Sequence, residues 1–135
     1  MDEGELRILL QRVARRIRNN RGDDSMSDSQ LGVLFALEKE GDSSPSTLAE
    51  RERVSPPSMN RTLNGLEERG LVRRDPSPDD ARKVIVSLTT EGRELTRETR
   101  RLRTAWFNRQ LAALTADERA ALEAAAEVLR KIADA

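Results

Sequence analysis

Apolar residues recur at helical spacing along most of this 135-residue chain and alternate in one short stretch. Leu6, Leu9, Leu10, Val13 and Ile17 fall three and four apart, which draws one apolar stripe on a helix from about Glu3 to Asn19. Leu31, Leu34, Phe35 and Leu37 follow Ser27-Asp28-Ser29-Gln30, a capping box, and are the expected core. Met59, Leu63 and Leu66 share a face of a helix that Ser55 caps and Gly70 ends. Pro56 takes its first position, where the missing N–H would be unpaired anyway, and Pro57 still falls within the first turn. Leu95, Leu102 and Trp106 mark a long helix from Glu91 to about Ala113, capped by Thr89-Thr90. Thr115-Ala116-Asp117-Glu118 is a second capping box. It opens a final helix bearing Leu122, Leu129 and Ile132, with alanines at 120, 121, 124, 125 and 126 that permit close approach of another helix.

The middle of the chain adds a different rhythm. Ser44-Pro45 caps and starts a short helix to about Arg51, with Leu48 and Ala49 turned inward. Only Glu52 to Val54 separate it from the helix that Ser55 opens, which is helix-turn-helix spacing. After Gly70, Leu71-Val72-Arg73-Arg74 and Lys83-Val84-Ile85-Val86-Ser87-Leu88 are rich in strand formers, and Val84, Val86 and Leu88 share one face. Asp75-Pro76-Ser77-Pro78-Asp79-Asp80-Ala81 between them is a turn by composition. The expected fold is mainly α with a small β-hairpin wing: a winged helix-turn-helix flanked by further helices, about six in all.

Charge places chemistry on this frame. Lys and Arg number 24 and so do Asp and Glu, so affinity for a polyanion must come from local patches. The helix after Ser55 carries Pro57, Arg61, Asn64 and Glu68 on its outer face, with Asn60 at the edge. From Val54 to Gly65 there is one basic residue and no acid, so its N-terminal half suits an anion. Arg82 and Lys83 near the hairpin tip, with Arg73 and Arg74 at its base, are positioned to reach phosphates or a minor groove. The plainer alternative is a capped surface helix, with arginines solvated or paired to nearby aspartates. The mixed charges of the long helix read as a solvated face with i,i+4 pairs.

The composition also narrows the function classes. With no cysteine and no histidine, disulfides and thiol redox sensing are excluded, and a zinc site lacks its usual ligands. No cofactor or metal is expected. An enzyme is not expected either: histidine, cysteine and tyrosine are absent, there is no phosphate-cradling glycine loop, and Asp79-Asp80 sit on an exposed turn. The longest apolar run, Val33 to Leu37, is far too short for a membrane span. The opening Asp2, Glu3 and Glu5 show no signal-peptide pattern, and a cytoplasmic location is expected.

Leu48-Ala49, Val54-Ser55, Arg61, Leu66 through Gly70-Leu71-Val72, Arg74, Asp75-Pro76 with Asp80-Ala81-Arg82, and Val86-Ser87-Leu88-Thr89 with Gly92 together resemble the MarR family of bacterial transcription regulators. The likeness covers nearly the whole chain, and the wing text with its trailing Leu-Thr and Gly is its specific part. The resemblance implies a regulator, in the repressor class, that binds double-stranded DNA as a homodimer on a pseudo-palindromic operator. Half-sites about 10 bp apart on one DNA face follow from such a two-fold dimer. In the family the second helix enters the major groove, the arginine matching Arg82 enters the minor groove, and the aspartate matching Asp80 braces the wing. Arg61 and Arg82 are the leading contacts, with Ser55, Ser58, Asn60, Asn64, Arg74 and Lys83 beside them. Pro56-Pro57 depart from the family, whose members more often carry hydroxyl or small residues there, and the expected consequence is a lost phosphate contact at Pro57 and an altered site preference. On this reading residues 1–26 form an N-terminal dimerisation helix, 27–89 the DNA-binding region and 90–135 the C-terminal dimerisation helices, in one compact domain overall. Many members release DNA when a small aromatic or lipophilic compound binds. Val13, Ile17, Leu31 and Trp106 are the positions expected to line such a cleft, and a core role for Trp106 stands beside that reading. A winged-helix protein-interaction module is the alternative function. It would favour an apolar outer face, against which Asn60, Arg61 and Asn64 argue.

Overall fold

The computed structural model describes residues 1–22 and 25–135. The elements are α1 (Glu3–Arg18), α2 (Asp28–Glu40), α3 (Pro45–Glu52), α4 (Pro56–Glu68), β1 (Val72–Pro76), β2 (Val84–Leu88), α5 (Thr90–Ala112), α6 (Ala116–Ala124) and α7 (Ala126–Ala133). The last two are one final helix interrupted at Ala125, which lies in the right-handed helical region with ψ of −10°. Among the described residues no helix is long and apolar enough to cross a membrane. The elements divide between two compact units, Asn20–Leu102 and Met1–Asn19 with Arg103–Ala135. Residues 90–102 therefore pack with the winged unit, although the sequence division at 89 sets them with the C-terminal helices.

The winged unit owns a complete core. Met26, Leu31, Leu34, Leu48, Met59, Leu63, Leu66 and Val86 are buried to 2% exposure or less. Each fully buried side chain of this size contributes about 1.5–3 kcal/mol by leaving water. Ser27 and Gln30 form the expected capping box at α2. Ser44 accepts from the Thr47 N–H at α3, with Pro45 at the first helical position. Between α3 and α4 the chain reverses through Arg53, a left-handed residue with φ of 54°. Val33 is buried as well, at 1%. Phe35, expected in the core, packs only against its edge, and the Arg100 guanidinium lies 5.3 Å from its ring centre.

The wing is a two-stranded antiparallel sheet with Val72 opposite Leu88 and Pro76 opposite Val84. The first strand runs to Pro76, further than the turn composition suggests, because in a two-stranded hairpin a proline at the end forfeits no ladder bond. Val86 and Leu88 are buried while Val84, on the same face nearer the tip, is 40% exposed. Ser43 bridges to Val86 through both backbone bonds, at 3.2 and 2.8 Å, and ties the start of α3 to the hairpin.

Where the hairpin returns, three elements meet. The Thr89 hydroxyl donates to the Gly70 carbonyl at 2.6 Å and accepts from the Gly92 N–H at 3.0 Å. Gly70 is left-handed, with φ of 72°. At Gly92 a Cβ would stand 2.0 Å from the Leu71 carbonyl oxygen, so only glycine lets α5 start this close to the hairpin.

The other unit contains α1, α6, α7 and the second half of α5, and none of its residues falls in the buried class. Leu6, Ile8, Leu10, Val13, Val128 and Ile132 are each between 39% and 61% exposed. Its helices are nonetheless well specified locally. Asp2 caps α1, and Thr115 with Glu118 completes the second capping box.

Candidate nucleic-acid interface

The outer face of α4 is assembled by its own first turn. Prolines occupy the first two helical positions, so no N–H is left to satisfy there, and Ser55 accepts from the Ser58 N–H at 3.3 Å. The Ser55 hydroxyl donates to the Ser58 oxygen at 3.1 Å, and that oxygen also accepts from Arg61 Nη2 at 3.1 Å. Two hydroxyls thus lay the Arg61 guanidinium back along the helix toward its positive end. Pro57, Asn60, Arg61 and Asn64 are exposed and Ser58 is half-buried, while Met59, Leu63 and Leu66 fill the opposite face.

Arg74, expected to reach a phosphate, is turned onto α4 instead. Its Nε donates to Glu67 Oε2 at 3.1 Å. Its Nη2 donates to Glu67 Oε1 at 3.3 Å and to Asn64 Oδ1 at 2.6 Å. The Arg74 side chain is 25% exposed against 44% for Glu67. The guanidinium holds the Glu67 carboxyl below the usual glutamate range, chiefly through the side-chain hydrogen bond. Arg73, one residue before, points away to an exposed ion pair with Asp75 at 3.7 Å.

At the wing tip Asp80 accepts from the Arg82 backbone N–H at 3.0 Å and from Arg82 Nε at 3.2 Å. Its other oxygen accepts from Arg82 Nη2 at 3.4 Å. The Arg82 side-chain hydrogen bond leads the lowering of the Asp80 carboxyl below its ordinary range. Arg82 remains 91% exposed, so the carboxylate aligns a guanidinium that solvent still surrounds. Lys83 is exposed, and its N–H and carbonyl close the tip onto Asp80 and Ser77.

The four expected cleft residues part company. Val13, Ile17 and Trp106 line one apolar groove of about 600 Å³ in the α1 unit, with Arg16 stacked 5.4 Å from the Trp106 ring centre. Leu31 does not join them: it is 2% exposed in the core of the winged unit, because its α2 stripe faces that core. Sequence reasoning missed Glu67 as a partner of Arg74. The two are seven apart across the Gly70 reversal, so only the hairpin's return onto α4 brings them together.

The sequence model of the MarR family matches residues 24–83. An uncharacterized HTH-type transcriptional regulator of Mycobacterium leprae is 39% identical over 130 residues, spanning 96% of this chain and 91% of the relative. A solved structure of a putative transcriptional regulator from Pseudomonas aeruginosa is 36% identical, covers 96% of this chain and 91% of its own, and superposes with a TM-score of 0.84. BpsR of Bordetella bronchiseptica, solved in work on the regulation of its DNA binding by 6-hydroxynicotinic acid, is 27% identical with a TM-score of 0.73. That likeness covers 99% of this chain and 94% of BpsR.

Proposed function

This chain belongs to the MarR family of transcriptional regulators, and on that premise we propose that it represses transcription by binding a pseudo-palindromic DNA operator as a homodimer. The carrying observation is one unit that exposes two cationic contacts of different reach. Arg61 is laid along an acid-free half-helix, and Arg82 stands on a hairpin tip with most of its surface in solvent. A helix that fits a major groove beside a finger that fits a minor groove reads both from one side of the duplex. Ser55, Ser58, Asn60, Asn64 and Lys83 supply further donors, while Pro57 supplies shape without a donor.

The dimer is supported by the α1 unit, none of whose apolar side chains is fully buried within one chain. Two reading heads related by a two-fold axis then fit half-sites about 10 bp apart. Release by a small aromatic or lipophilic compound belongs to the same proposal, with Val13, Ile17 and Trp106 as its contacts. The regulation of BpsR's DNA binding by 6-hydroxynicotinic acid supports it, as does an arginine over the tryptophan at the groove.

Fluorescence anisotropy of the protein with DNA from upstream of its own gene, against scrambled DNA at several salt concentrations, tests the reading. Site-specific binding with a steep salt slope and two chains per duplex is expected. The Arg82→Ala protein should bind more weakly while melting at the wild-type temperature. No binding at low salt would overturn the proposal in favour of a protein-interaction module.

A further inference from the structure

The fork between Arg74, Glu67 and Asn64 constrains what α4 can read. A guanidinium can only donate, so the carboxamide limb of Asn64 that meets Arg74 Nη2 at 2.6 Å must be its oxygen. Glu67 holds the same guanidinium with both carboxylate oxygens, one of them on the same Nη2, so Arg74 cannot turn away without breaking an ion pair. The limb of Asn64 left to solvent is therefore the amino group. Among the described residues Asn64 Nδ2 donates to nothing, and the side chain is exposed on the outer face of α4.

We propose that Glu67 and Arg74 are positioning residues that make Asn64 a donor-only reader of a keto base. This rests on α4 entering the major groove of a specific site. An unrestrained asparagine grips adenine with two bonds, its oxygen accepting from N6 and its nitrogen donating to N7. Here the oxygen is engaged by a cation, which also repels the adenine amino group. The free amino group instead suits guanine O6 or thymine O4; adenine offers it only N7, beside an amino group that meets the Arg74 donors. The clamp carries no net charge, so it sets this preference without adding a phosphate anchor.

The test begins with selection of the full-length protein from duplexes randomised over the half-site, repeated with Asn64→Ala to locate the position that Asn64 reads. At that position two analogues are then compared in the wild type. Exchanging the keto oxygen for sulfur, with 6-thioguanine or 4-thiothymine, should weaken binding about fivefold or more. In a second duplex that carries adenine there, removing its amino group, with purine in its place, should not weaken binding. In Arg74→Gln, and in Glu67→Gln as the milder variant, the sensitivity to sulfur should shrink and sensitivity to the adenine amino group appear. Melting temperatures show that each variant is folded, and Asn64→Asp, which leaves the clamp its acceptor and removes the donor, should lose the keto preference with no change to either partner.

The inference is overturned if the wild type loses affinity with purine in place of adenine, or ignores the sulfur exchange. It is overturned equally if the folded clamp variants keep the wild-type pattern, or if Asn64→Ala weakens all sequences alike. Selection that enriches no sequence at all removes the DNA-reading premise and this inference with it, an outcome distinct from a defined site read in another way.

Discussion

The two units of this chain have comparable local design and opposite burial. The winged unit closes a core around Leu34, Leu48, Leu63, Leu66 and Val86, all at 0% exposure. The α1 unit has caps as good, including a full capping box at α6, yet no residue in it reaches the buried class. Helix signals therefore do not measure whether a segment can stand alone. Capping is worth about 1 kcal/mol per helix, whereas a closed core is worth several per side chain. The winged unit is finished within one chain, whereas the α1 unit leaves its apolar stripe half-exposed, as the proposed dimer requires.

This contrast can be broken most forcefully from the finished side. Leu63→Ala should cost about 2–5 kcal/mol, read as a lower midpoint in urea, because its cavity has no solvent to fill it. A loss no larger than that of a surface leucine would mean the core is looser than its burial indicates. On the unfinished side Leu10→Asp, at a site 39% exposed in the single chain, should leave the winged unit folded and weaken self-association tenfold or more, about 1.4 kcal/mol. Sedimentation velocity reads this directly, and an unchanged dimer would remove α1 from the interface.

Smaller changes sharpen the comparison. Ser27→Ala and Thr115→Ala delete equivalent caps, each worth about 1 kcal/mol. The first should appear as lost stability at any protein concentration, and the second as a melting temperature that depends more steeply on concentration. The smallest effect concerns pH. Glu67 and Glu118 both sit below the ordinary glutamate range, held by hydrogen bonds from Arg74 and from the Thr115 N–H respectively. A depressed carboxyl stabilises above its unfolded pKa, and that stability is lost as pH falls through its folded one. Melting temperature should therefore drop modestly on acidification below the glutamate range, and Glu67→Gln should flatten the winged unit's share of the drop.

Sequence patterning resolved the winged unit well because its rules are local. Ser27-Gln30, Ser44-Pro45, Ser55-Pro56 and Gly70 announce helix ends that the structure places within a residue or two. Leu31, Leu34, Leu37, Met59, Leu63 and Leu66 announce the buried faces. What remained hidden depends on contacts across the chain. Val33, outside the expected stripe, is buried as well, on a helix that packs against α3, α4 and β2. Arg74 looks like a free cation until the hairpin folds back onto Glu67 and Asn64. Leu31 and Trp106 both read as apolar positions on helical stripes, and nothing in their spacing tells that one fills a core while the other lines a groove. The interruption at Ala125 lies in an alanine run with no breaker to mark it.

The Thr89 hydroxyl, fastened to Gly70 at one end of the hairpin and to Gly92 beyond the other, bears on how this finger can change in length. Both roots are pinned to one atom, and Gly92 admits no spacer against Leu71. Residues added between Pro78 and Arg82 would lengthen the finger alone and leave α4 and α5 seated. The same insertion at either root would separate three elements that share a single fastener. A change in reach is thus channelled to the tip, and the frame that aims it stays fixed.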